Sequence, residues 1–113
     1  MDLEEYEELA THLHRNIRTY KKEYIICAAI HFESDSHIEH QPKNIDHGFV
    51  VCGRRHHNCF ITVRAIGDKL KEIEQGFLTS KDRFVNREEA GRIAFEAGQT
   101  KELRKTLFSE DLY

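Results

Sequence analysis

The pattern that most limits the fold lies in the last third of the chain. Gly76, Phe77 and Leu78, then Phe84 and Val85, flank the polar residues 79–83 (TSKDR). Two short apolar runs around a polar five-residue turn predict a hairpin, which commits its strands to antiparallel pairing. Asn86 follows at once, a residue whose side chain can cap a helix, and Glu89 stands three positions later in capping-box position. Gly98 is placed to end that helix as its C-terminal cap.

The rest of the chain must supply elements that pack on this unit. Leu3, Tyr6, Leu9, Leu13, Ile17 and Tyr20 recur at steps of three and four, which predicts an amphipathic helix over about 2–22. Residues 24–32 (YIICAAIHF) are short, apolar and bounded by charge, and read as a buried strand. Residues 33–46 hold the only proline and almost nothing apolar, the pattern of a long exposed loop. Residues 49–52 (FVVC) resume a strand that Gly53 ends. From His57, the positions Cys59, Phe60, Val63, Ile66, Leu70 and Ile73 step by three or four, predicting a further helix of roughly five turns, with a kink or early end open at Gly67. No repeat or linker divides the 113 residues. The expected fold is a single α+β domain: an N-terminal helix, an antiparallel sheet of about four strands and two further helices.

Composition excludes several roles. The longest apolar run, 24–30, is far below the roughly 20 residues that cross a bilayer. The opening MDLEEYEEL is acidic where a signal peptide would be basic, so the expected location is cytoplasmic. A net charge of -3 argues against a general nucleic-acid binder. Three cysteines, Cys27, Cys52 and Cys59, include no CxxC pair and are expected to be reduced and mostly buried.

Charge is nonetheless uneven. Arg54, Arg55, His56 and His57 lie between a strand end and a helix start. Helix N-termini present unpaired N–H groups and about half a positive charge, so two guanidinium groups and two imidazoles beside one suit a small phosphate-bearing anion. The plain alternative is a solvated run with one histidine filling the helix start. His37 and His40, with Asp35, Glu39 and His31 nearby, have donor chemistry for a metal, but their loop fixes no coordination geometry and no metal or other cofactor is expected. Cys59 could act as a nucleophile only with a base such as His56 held against it, and its apolar spacing favours the core. Lys101, Arg104 and Lys105 form a second basic cluster, and Phe77, Phe84 and Tyr113 are aromatic candidates for stacking whose ordinary place is the core.

Over about its last sixty residues the chain resembles a family of small phage proteins, the first-described anti-Thoeris defence family, which act as sponges for signalling nucleotides. The resemblance rests on residues 53–59 (GRRHHNC), 75–90 (QGFLTSKDRFVNREEA), 97–99 (AGQ) and 107–113 (LFSEDLY). It implies a phage-encoded, non-enzymatic binder of a cyclic ADP-ribose isomer, with cyclic di- or trinucleotides held at a separate site where subunits meet. On that resemblance Arg54, Arg55, His56 and His57 grip phosphates, Phe77 and Arg104 sandwich adenine, and Asn86 with Arg87 hydrogen-bond ribose or pyrophosphate.

Three functions therefore compete. The leading expectation is sequestration of a small anionic nucleotide by a homo-oligomer, with no membrane or bulk nucleic acid as partner. The second is an enzyme acting on a phosphodiester through the histidine-rich segments. The third is a protein-interaction inhibitor of a host enzyme working through the acidic N-terminal helix.

Overall fold

The computed structural model describes residues 22–35, 38–67 and 70–113. The helix predicted over 2–22 lies outside them apart from Lys22. A four-stranded antiparallel sheet is built from β1 (Ile25–Phe32), β2 (Phe49–Gly53), β3 (Glu72–Thr79) and β4 (Phe84–Asn86) in the order β2-β1-β3-β4. Helix α1 (His56–Ile66) joins β2 to β3 across β1, α2 (Arg87–Glu96) follows β4, and a single 3₁₀ turn (Ser109–Asp111) lies near the C-terminus.

The strand at 25–32 is central because it is apolar on both faces: Ala28, Ala29, Ile30 and Phe32 are all buried. One face carries both helices. Ile30 and Phe32 pack with Cys59 and Val63 of α1, while Ile25, Ala28, Phe77 and Val85 pack with Ala90, Ile93 and Ala94 of α2 and with Leu107. Because strand side chains alternate, Cys27, Ala29 and His31 point to the other face. The segment predicted as an exposed loop partly covers that face. His31 Nε2 donates to the His47 carbonyl at 2.8 Å, and Pro42 and Gly48 are buried. Gly48 has φ +73°, and a Cβ there would sit 2.2 Å from the Phe32 carbonyl oxygen.

Side-chain amides stand in for missing strand neighbours. Val50 on the outer edge of β2 donates its N–H to Gln41 Oε1 at 2.7 Å. Phe84 on the outer edge of β4 donates to Asn44 Oδ1 at 2.8 Å while its carbonyl accepts from Asn44 Nδ2. Edge groups satisfied in this way are not open to another chain.

The hairpin and the helix after it form as the sequence predicts. Thr79 N–H donates to Arg83 O at 2.9 Å across the turn, Asp82 takes the left-handed conformation (φ 59°), and Asn86 Oδ1 accepts from Glu89 N–H at 2.8 Å. Gly98, with φ 76°, follows the helix end. The helix expected to run on to Ile73 instead stops at Ile66. Gly67 is extended, and by Glu72 the chain is in β3, where pairing with β1 along its length outweighs the helical spacing of Leu70 and Ile73. Among the described residues no helix is long and apolar enough to cross a membrane.

Candidate functional site

Gly53 lets the start of α1 pack close to the end of β2: a Cβ there would meet Asn58 Cβ at 3.1 Å and Cys59 Sγ at 3.2 Å, a tight fit. Arg55 then caps α1 from an extended conformation (φ -132°, ψ 161°). Its N–H donates to Asn58 Oδ1 at 3.1 Å, and Asn58 N–H returns to the Arg55 carbonyl at 3.0 Å. The helix start expected beside the cationic run is therefore present, one residue earlier than the spacing predicts.

The four residues expected to grip phosphate separate into distinct environments. Arg54 and His57 are exposed. Arg55 is held: Nη2 donates to the main-chain oxygen of Tyr113 at 2.6 Å, Nη1 lies 3.5 Å from Ser109 Oγ, and the Glu110 carboxylate is 3.5 Å away. Both guanidinium groups lie against the Tyr113 ring, at 5.6 Å for Arg54 and 5.5 Å for Arg55, and the Tyr113 hydroxyl donates to the Arg54 carbonyl.

His56 needs correction as a phosphate ligand. It is 9% exposed, and its Nε2 lies 2.7 Å from the Gly76 carbonyl, which as an acceptor requires the proton on Nε2. Its ring meets Phe77 edge-on at 5.1 Å. Burial is the main cause that lowers its pKa, and the Arg87 charge adds to it. His56 is a neutral strut between α1 and β3.

Phe77 is likewise removed from contact with any ligand. It is 0% exposed in the core beneath α2, so no base can stack on its ring with Arg104 opposite. Arg104 is itself exposed, 3.7 Å from Asp111. It lines a cleft of about 230 Å³ with Glu88, Arg92, Leu103 and Lys105. Asn86 and Arg87 do come together, in a groove of about 330 Å³ with Glu74, Gln75, Glu88 and Thr106. Asn86 is exposed but caps α2. Arg87 donates to Gln75 Oε1 at 2.8 Å and to the Leu107 carbonyl at 3.0 Å, and its guanidinium lies 4.8 Å from the Phe108 ring centre. Burial lowers its pKa from the usual arginine range. Two carboxylates at this groove make it better suited to hydroxyls and base edges than to phosphate.

Residues 107–113 connect these parts, since Leu107 and Phe108 engage Arg87 while Ser109, Glu110 and Tyr113 engage Arg55. Sequence reasoning missed Ser109, Glu110 and Gln75 here. The C-terminal residues show too little periodicity to place, and the one available signal was the LFSEDLY motif itself. Cys59 is buried, as its spacing predicts. Its thiol is directed at the Arg55 and Ala28 carbonyls at 3.7 and 3.9 Å, and burial pushes its pKa up to about 11. Among the described residues no three His, Cys, Asp or Glu side chains converge to hold a metal ion, and His37 lies outside those residues.

Comparison with known proteins adds one finding: the family model described as phage T4 y16D protein matches residues 24–113. No curated protein and no solved structure matches.

Proposed function

The chain belongs to the phage T4 y16D protein family, and from that premise and its cationic loop we propose a non-catalytic phage protein that captures a small phosphate-bearing nucleotide. The ligand class is a cyclic ADP-ribose isomer or a cyclic oligonucleotide, whose removal silences bacterial anti-phage signalling. The observation that carries this reading is the gathering of Arg54, Arg55 and His57 at the N-terminus of α1. There the Tyr113 ring and main-chain oxygen hold the arginines in place. Paired guanidinium groups beside helix N–H donors match phosphate oxygens in charge and geometry. The nearby groove at Asn86 and Arg87 offers hydrogen-bonding groups for ribose or a base edge. A second copy of the chain is the proposed partner: Ile61 and Ile66 of α1, 58% and 72% exposed, are large apolar side chains that a partner would cover.

The test is a thermal-shift series with cyclic ADP-ribose isomers, cyclic di- and trinucleotides, ADP-ribose and mononucleotides. A ligand at 100 times its Kd stabilises the fold by about 2.7 kcal/mol, a shift on the order of 10 °C. Denaturing the complex returns the ligand chemically intact. Arg54→Ala abolishes the shift with the Tm of the free protein unchanged. Recovery of a hydrolysed product, or an undiminished shift in Arg54→Ala, overturns the reading.

A further inference from the structure

Two of the three cysteines meet on the sheet face opposite α1 and α2. In the β1–β2 register Ala29 stands opposite Cys52, and Cys27 lies two residues before Ala29. Side chains alternate along a strand, so Cys27 and Cys52 share a face as diagonal neighbours. Cys52 is exposed and Cys27 half-buried, whereas Cys59 is sealed in the core between α1 and the sheet. The neighbouring Cys52 thiol, helped by the Gly53 backbone, lowers the Cys27 pKa, while proximity to Cys27 pushes Cys52 up. Cys27 is thus the better thiolate, and Cys52 is the thiol that keeps its proton beside it.

We propose that Cys27 and Cys52 are an oxidant-sensitive pair that a hydroperoxide converts reversibly into a cross-strand disulfide. In the first step the Cys27 thiolate attacks a peroxide oxygen. An S–O bond forms, the O–O bond breaks, and the departing oxygen takes a proton to leave as water or an alcohol. In the second step Cys52 sulfur attacks the Cys27 sulfenic acid. The S–S bond forms, the S–O bond breaks, and the hydroxyl leaves with the Cys52 proton as water. The pair gives up two electrons and the peroxide takes them; an added dithiol reverses the change by exchange.

Diagonal neighbours stand about 7–8 Å apart at Cα, slightly beyond the usual span of a disulfide, so the bridge requires a small movement of backbone. β2 can supply it. Among the described residues it is an edge strand, paired on one side with β1 and met on the other by the Gln41 side chain. A bridge formed against that movement is strained, and strained disulfides are the readily reduced ones. The proposal stands whether or not the arginine loop binds a nucleotide.

The full-length chain, treated with hydrogen peroxide, is denatured, alkylated with N-ethylmaleimide and analysed by peptide mass spectrometry. The expected result is a cross-linked Cys27–Cys52 peptide, an alkylated Cys59, and recovery of all three alkylated thiols when dithiothreitol precedes alkylation. In Cys52→Ser the sulfenic acid stays on Cys27 and is trapped by dimedone. Three alkylated thiols after peroxide, oxidation of Cys59 ahead of the pair, or a Cys52–Cys52 bridge between two copies would each overturn the proposal.

Discussion

Arg83 clasps Glu23 with two parallel hydrogen bonds, Nε to Oε2 at 2.8 Å and Nη2 to Oε1 at 2.7 Å. Thr79 Oγ1 donates to the same Glu23 carboxylate at 2.5 Å, and Arg83 also reaches Glu89 at 3.1 Å. One carboxylate thus ties the entry to β1 to the hairpin turn, and the turn's arginine ties both to α2. The Glu23 carboxylate is 14% exposed and the Arg83 side chain 37%. The hydrogen bonds from Arg83 hold the Glu23 carboxyl below its usual pKa. Its contribution to stability is present above the unfolded-state value near 4.3 and is lost as pH falls through the lower folded value. Glu23→Gln is expected to cost about 1 kcal/mol at neutral pH, allowing for solvent screening of Arg83, and to flatten the acid limb of stability against pH. Urea unfolding between pH 3 and 7, on the order of that carboxylate window, reads both effects.

A second junction uses a side-chain amide in place of a neighbouring strand. Gln99 Oε1 accepts from Ile25 N–H and its Nε2 donates to the Ile25 carbonyl, both at 2.8 Å. Ile25 is 3% exposed, so water cannot readily replace either bond. Gln99→Leu leaves a buried donor and acceptor unmatched and is expected to cost about 2–4 kcal/mol. Gln99→Glu keeps the acceptor alone and falls between the two. Equilibrium denaturation should rank wild type above Gln99→Glu above Gln99→Leu.

These junctions show why part of the molecule was legible in the sequence and part was not. The hairpin, the Asn86 cap and Gly98 are local: each depends on residues within a few positions, so their chemistry appears in consecutive letters. The end of α1 was only half legible, because Gly67 marks a break while Leu70 and Ile73 keep a helical step that pairing of β3 with β1 overrides. Contacts such as Gln99 with Ile25 or Arg55 with Tyr113 span long stretches of chain, and no spacing rule announces them. The candidate site divides in the same way. Its helix start and exposed Arg54 follow from the GRRHHN run, but burial withdrew His56 and Phe77, and burial depends on distant strands.

The withdrawal of His56 has a measurable consequence. Neutral His56 donates to Gly76, and burial lowers its folded pKa below the unfolded value near 6.5. The stability it supplies is therefore complete above that unfolded value and is lost as pH falls through the lower folded one. His56→Ala, which removes this bond and the edge contact with Phe77, is expected to destabilise by about 2–3 kcal/mol, or on the order of 10 °C in Tm. His57→Ala, at an exposed position, should leave Tm nearly unchanged. Thermal denaturation of the two single variants at neutral pH separates the strut from the surface histidine.

Glu110 gives the ligand reading a prediction of opposite sign to the usual loss-of-function variant. Its carboxylate lies 3.5 Å from Arg55 Nη1 and is 68% exposed, and it is an anion where the proposed ligand places another. A phosphate approaching Arg54 and Arg55 is repelled by Glu110 and competes with it for the guanidinium. Glu110→Gln keeps the side chain's size, removes that charge and is expected to tighten nucleotide binding by about threefold to tenfold, up to about 1.4 kcal/mol. Loss of an exposed ion pair changes the unliganded fold by at most about 1 kcal/mol. The gain should shrink as salt is raised from 50 to about 500 mM, since screening weakens an exposed charge's repulsion. Titration of wild type and Glu110→Gln against one nucleotide at several salt concentrations measures both trends. Equal affinities at low salt would place the phosphates away from Arg55.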